Sequence, residues 1–126
     1  RLHPRVLSGA RAMPTLTYYR TAERPAIKLW LLDDDGTLID FSTGYTFEFK
    51  LGRPGAAATL TKTTGITGAA GSGTETSGTP NVNVSFTAGE LDALVPKGNT
   101  TWQLRTTTGG VDRVWQGPFK LLDVIS

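Results

Sequence analysis

The chain has 126 residues, a formal net charge of +2, no cysteine and a single histidine, His3. That is one domain's worth of material. It excludes disulfides, thiolate metal sites and cysteine nucleophiles, and leaves no basis for a Ser-His-Asp triad or a multi-histidine metal centre. No apolar run approaches the ~20 residues of a membrane-spanning helix, and twenty threonines with 15 glycines against one methionine favour strands and turns over helices.

The charge is unevenly placed. Residues 1–12 contain Arg1, Arg5 and Arg11 and no acid, whereas residues 13–126 carry ten Lys or Arg against eleven Asp or Glu. The basic character therefore belongs to a leader rather than to a domain surface, and no nucleic-acid partner is expected. Residues 1–12 read as an assembly arm, a cloning remnant or a mis-assigned start, since regular patterning begins right after Met13-Pro14. Residues 13–126 read as a single domain.

In chain order, Thr15–Tyr19 is a first strand. Ala26–Leu32 is a second, with Ile27, Leu29 and Leu31 on one face and Lys28, Trp30 and Leu32 on the other. Asp33-Asp34-Asp35-Gly36 is a hairpin turn between apolar runs, followed by the short stretch Thr37–Phe41. Tyr45–Leu51 alternates strictly: Tyr45, Phe47, Phe49 and Leu51 face the core, and Thr46, Glu48 and Lys50 face solvent. Ala57–Thr63 is a weaker strand around Leu60. Residues 65–80, rich in Gly, Ser and Thr, read as a long flexible loop or a hairpin tip that orders on contact.

Val82–Phe86 alternates again. Thr87-Ala88-Gly89-Glu90 fits a capping box that starts the one expected helix, 88–95, ended by Pro96 and Gly98. Thr100–Thr107 is a strand with Trp102, Leu104 and Thr106 inward. It pairs across Gly109-Gly110 with residues 111–124, where Gly117-Pro118 predicts a kink or bulge. Seven or eight short strands with one late helical turn predict an all-β, two-sheet antiparallel sandwich of immunoglobulin-like type, with a small closed barrel as the alternative.

No residue set assembles a reaction centre. Counting Gly36 as the sixth position of a calcium loop puts Leu31 first and Ser42 twelfth, and neither is a carboxylate ligand, so the Asp33–Asp35 cluster reads as a turn with surface acids. Asp40, Glu75, Asp92 and Asp112 lie on separate segments, with no reason to pair as acid and base. The glycines of 65–78 lack a phosphate-binding Gly-Lys-Ser/Thr. Trp30, Trp102 and Trp115 read as core or interface residues, or as a sugar-stacking platform if one open face gathers them. Tyr18 and Tyr19 are adjacent, so one faces outward. The residues expected at an interface are Arg5, Arg11, Tyr18, Tyr19, Trp30, Thr74, Glu75 and Trp115, with no catalytic residue, cofactor or metal.

The order of segments resembles the immunoglobulin-like domain found at the N-terminus of phage baseplate upper proteins (the BppU type) and in small minor tail proteins. The likeness runs from the apolar strand and Asp-Asp-Gly turn through Thr37–Thr43 and Gly44-Tyr45-Thr46-Phe47-Glu48-Phe49 to a glycine-rich loop. It continues with Asn81–Phe86, the short Glu90-Leu91-Asp92 helix and Trp102–Thr107, covering about residues 25–126. The resemblance implies a non-catalytic structural module of a virion, assembled in the host cytoplasm, that docks on other virion proteins and on copies of itself. The larger relatives continue into further domains, so an adaptor, minor tail or head-decoration subunit is the expected form. A carbohydrate-binding or adhesin module, taking a surface glycan through exposed aromatic rings, is the alternative; an enzyme is not expected.

Overall fold

The computed structural model describes residues 16–20, 23–33, 36–53, 55, 58–73, 77–92 and 100–123. Among them are eight strands and one short helix: β1 (Leu16–Arg20), β2 (Ile27–Leu29), β3 (Thr46–Gly52), β4 (Ala58–Lys62), β5 (Ile66–Gly68), β6 (Val82–Val84), α1 (Ala88–Asp92), β7 (Thr100–Thr108) and β8 (Val111–Asp123). They form a five-stranded sheet in the order β1-β8-β7-β3-β4 and a three-stranded sheet in the order β2-β6-β5. The fold is an all-β two-sheet sandwich, as the spacing of strands and turns predicts.

The core follows from strict alternation. On β3 and β7, Phe49 and Leu51 pair with Leu104 and Trp102, and β8 extends the same rows through Trp115 and Gly117. The buried residues of this sheet meet Ile27, Leu29, Val82 and Val84 from the other. Several of these large side chains are wholly removed from water, and such burial contributes roughly 1.5–3 kcal/mol for each large apolar side chain.

Three details depart from the sequence reading. The first strand pairs in parallel with the last, Leu16 opposite Phe119 through Arg20 opposite Asp123, so the larger sheet is mixed. Gly117-Pro118 causes no register shift: β7 and β8 pair without interruption from Thr100↔Phe119 to Thr108↔Val111. Part of the 65–80 stretch is strand rather than loop, because Ile66–Gly68 pairs with Val82–Val84 and Ser72 bridges Thr79 beyond it. A Cβ on Gly68 would lie 2.8 Å from Phe41 Cβ and 2.9 Å from the Phe47 ring, so only glycine lets this strand lie so close to residue 41.

The chain reverses between Asp33 and Gly36, while Asp34 and Asp35 of the predicted turn lie outside the described residues. Gly36 N–H donates to Asp33 C=O at 2.9 Å with Gly36 at φ 85°, and Leu32 bridges Leu38 across the turn. One buried polar residue, Asn81, ties both sides of this turn to the second sheet. Asn81 accepts from Leu31 N–H (2.9 Å) and donates to Leu31 C=O (2.8 Å) and Ile39 C=O (2.9 Å). Its side chain thus satisfies Leu31 N–H and Ile39 C=O and adds a second bond to Leu31 C=O, which also accepts from Ile39 N–H at 3.2 Å.

Candidate functional site

The open side of the sandwich is set by where β4 leaves its sheet. All seven residues of β3 pair with β7, but on the opposite edge β4 begins to pair only at Phe49↔Lys62. Beyond Lys62 the chain turns through Thr63–Gly65 and enters the other sheet as β5. Thr46–Glu48 are left with no strand neighbour on that edge among the described residues.

The space vacated is a groove of about 580 Å³, lined by Tyr45, Thr46, Phe47, Glu48, Thr63, Ile66, Arg105 and Thr107. Its volume lies within the ~300–1,000 Å³ typical of ligand sites. One wall is aromatic. Tyr45 and Phe47 are stacked with ring centres 6.4 Å apart, and Phe41 meets both edge-on at 4.8 and 5.8 Å. The other wall is polar: Glu48 sits opposite Arg105 in the ladder, and its Oε1 lies 3.7 Å from Arg105 Nη1 and 3.6 Å from Lys50 Nζ. That oxygen is buried and makes no hydrogen bond among the described residues. A second carboxylate, Asp112, accepts from the lining Thr107 at 2.7 Å, so acids and cations are balanced along this wall.

A second polar cluster closes the end of β4. Lys62, 3% exposed at its side chain, lies on the inner face of its strand. Its Nζ donates to Ser85 C=O and to Glu90 Oε1 (2.8 Å), and stands 5.1 Å from the centre of the Phe86 ring. Glu90 completes the capping box expected from the sequence: Thr87 N–H donates to Glu90 Oε1 at 2.8 Å, and Glu90 N–H to Thr87 Oγ1 at 3.3 Å. Burial pushes the Glu90 carboxyl up, but hydrogen bonds from Lys62 and Thr87, with the Lys62 charge, outweigh it and hold the group below its ordinary value. An inward-pointing lysine on an edge strand also discourages further strands from extending β4.

Of the sequence-predicted interface residues, only Tyr18, Trp30 and Trp115 have described side chains. Trp115 and Tyr18 are fully buried and Trp30 is 3% exposed, so their side chains pack within the chain. Tyr18 donates to Pro25 C=O at 2.7 Å, and Trp30 directs its indole N–H at Ser72 C=O at 3.4 Å. The backbone of Tyr19 lies in β1, but its side chain falls outside the described residues, as do Arg5, Arg11, Thr74 and Glu75.

Trp102 is fully buried as well. The three tryptophans present no open stacking platform, because the inward parity of β7 and β8 directs Trp102 and Trp115 into the core. Asp33 lies within 3.4 Å of Arg113 Nη1, and among the described residues no three His, Cys, Asp or Glu side chains gather in a metal-binding arrangement. Asp40 accepts from Ser42 N–H and Oγ–H, while Asp112 accepts from Thr107, so these two acids serve separate local bonds.

The groove residues were visible in sequence only as halves of an alternation, inward Tyr45 and Phe47 against outward Glu48. Comparison with protein-family models, curated proteins and solved structures returned no match to this chain.

Proposed function

We propose that the chain is a non-catalytic structural subunit of a phage particle, a minor tail or baseplate-associated adaptor that joins neighbouring subunits through strand edges. The observation that carries this reading is the half-open edge of β3, where Thr46–Glu48 border a groove instead of a strand. Exposed strand edges are natural templates for pairing with another chain. The likeness of segment order to baseplate upper proteins supplies the setting, and as fold-level analogy it does not by itself carry the function. The glycan-binding alternative loses the feature that would favour it, since Trp30, Trp102 and Trp115 are buried.

The test is location. Phage particles purified from a host carrying this sequence are probed by peptide mass spectrometry and by immunogold labelling of the chain. The expected result is several copies per particle, with label at one end of the tail. A chain absent from purified particles and left behind in the cleared lysate overturns the reading.

A further inference from the structure

β1 stands at one end of the five-stranded sheet and pairs with β8 alone, while β2, the next strand, belongs to the three-stranded sheet. Residues 21–26 make this passage between sheets. Six residues reach at most about 20 Å, and the strain of closing so short a connector falls on one of them. Arg24, exposed to solvent, is the only non-glycine among the described residues with a positive φ, at 49°. It precedes Pro25, and a residue before proline is pushed toward extended backbone as well. A left-handed arginine in that place is strained twice over, and such strain persists only where the surroundings hold it. The docking of β1 holds it here. Leu16 and Tyr18 are wholly removed from water, and the Tyr18 ring packs against Phe119 and Phe86 at 6.4 and 5.3 Å.

We propose that this chain exchanges β1 with a second copy of itself: Arg24 swings to an extended conformation, and the β1 of each copy pairs in parallel with the β8 of the other. The occupant is selected by identity. Every register pair from Leu16↔Phe119 to Arg20↔Asp123 is re-made between copies by the same residues, so the exchange gives up no packing of β1 and releases the strain of two connectors. Pro25 lies on the β2 side of the pivot, so Tyr18 of the incoming strand meets the same C=O that accepts it at 2.7 Å in the closed chain. Reciprocal exchange of an identical element closes into a dimer, and short strained hinges favour it. The proposal needs only this chain and does not rest on the assembly role given above.

The sequence has no cysteine, so the exchanged pairing can be trapped. Thr17 and Lys120 face each other in the parallel ladder, and neither is buried. Neighbouring strands about 4.8 Å apart lie within disulfide reach. Full-length Thr17→Cys and Lys120→Cys chains are mixed, refolded together from urea at high concentration and oxidised. A disulfide joining one chain of each kind is expected, and the parent chain treated alike gives twice its 13.5 kDa by light scattering beside the monomer. The doubly substituted chain, refolded dilute, closes the bond within itself; failure there would remove the pairing on which the exchange rests. Arg24→Gly relieves the closed chain without exchange. It is expected to raise the dimer dissociation constant about a hundredfold, tenfold for each hinge, while the circular dichroism of the monomer is unchanged. Monomer alone after refolding, a dimer in which the mixed disulfide never forms, or a dissociation constant indifferent to Arg24→Gly each overturn the proposal. If particles contain the chain and refolding gives only monomer, the exchange fails and the assembly reading stands. If the chain is absent from particles yet forms the exchanged dimer, the assembly reading fails and the exchange stands.

Discussion

At the scale of single residues, Asn81 does the most with one side chain. It is fully buried and bonds three backbone groups of the 31–39 excursion, while its own backbone accepts from Ala69 N–H (3.0 Å) and donates to Leu29 C=O (3.1 Å). Truncation by Asn81→Ala strands Leu31 N–H and Ile39 C=O in the core, each a loss of about 1 kcal/mol or more, whereas Leu31 C=O keeps its bond from Ile39 N–H. A fall of about 2 kcal/mol in urea denaturation is expected, and a change under ~0.5 kcal/mol, the usual size of a surface effect, would show that the side chain merely fills space.

Tyr18 makes the second residue-scale prediction. Burial pushes its phenol up to about 12, opposed by the charge of Arg24. The folded value lies above the ordinary 10.0, so the contribution of the neutral phenol is intact below pH 10 and is lost as pH rises toward 12. Tyrosinate absorbance from Tyr18 is expected to appear together with alkaline unfolding, and Tyr18→Phe removes that step. A Tyr18 that ionises near pH 10 with the fold intact contradicts the burial argument.

At the scale of elements, the junction of β4 with α1 is tied by charge. Glu90 caps α1 through Thr87 and holds Lys62 at the same oxygen. Its folded value is depressed, so the contribution is present above the ordinary 4.5 and disappears as pH falls through the lower folded value. Glu90→Gln is expected to lose about 1–2 kcal/mol at neutral pH, combining the weakened cap with a less well-paired buried lysine. Its acid-side stability slope should be shallower than that of the parent chain when urea midpoints are compared across pH. Parallel slopes would mean that the ion pair adds nothing.

This junction also shows what local sequence conveys. The capping box was legible because Thr87 and Glu90 are three residues apart, and β3 and β7 because their alternation is unbroken. Lys62 was not legible as a buried residue: in Ala57–Thr63 it shares parity with Leu60, yet a lysine near a strand end reads as solvated. Part of the 65–80 stretch read as loop because β5 offers one large apolar residue, Ile66, and is held by its pairing with β6 and by close packing at Gly68. Neither the role of Asn81 nor the groove could be read locally. The first depends on partners 42 and 50 residues away, and the second on where β4 changes sheets.

At the scale of the molecule, the larger sheet joins the first and last of the described strands. β1 joins β8 with Leu16 opposite Phe119, across a loop of about a hundred residues, whereas β7 and β8 are joined by a tight turn at Gly109-Gly110. Closing the longer loop demands more chain entropy before any contact rewards it. The β7–β8 hairpin with β3 is therefore expected to form the folding nucleus, with β1 docking after the transition state. Leu16 and Leu104 are both fully buried, so truncating either to alanine removes about 3 kcal/mol and differs only in how the loss is divided between rates. Leu104→Ala is expected to slow folding, which for such a topology takes milliseconds to seconds. Leu16→Ala should leave the folding rate nearly unchanged and raise the unfolding rate roughly a hundredfold. Stopped-flow chevrons of the two variants decide the matter: equal slowing of folding by both would place the parallel β1–β8 pairing inside the nucleus, and closure of that long loop would then set the speed of folding.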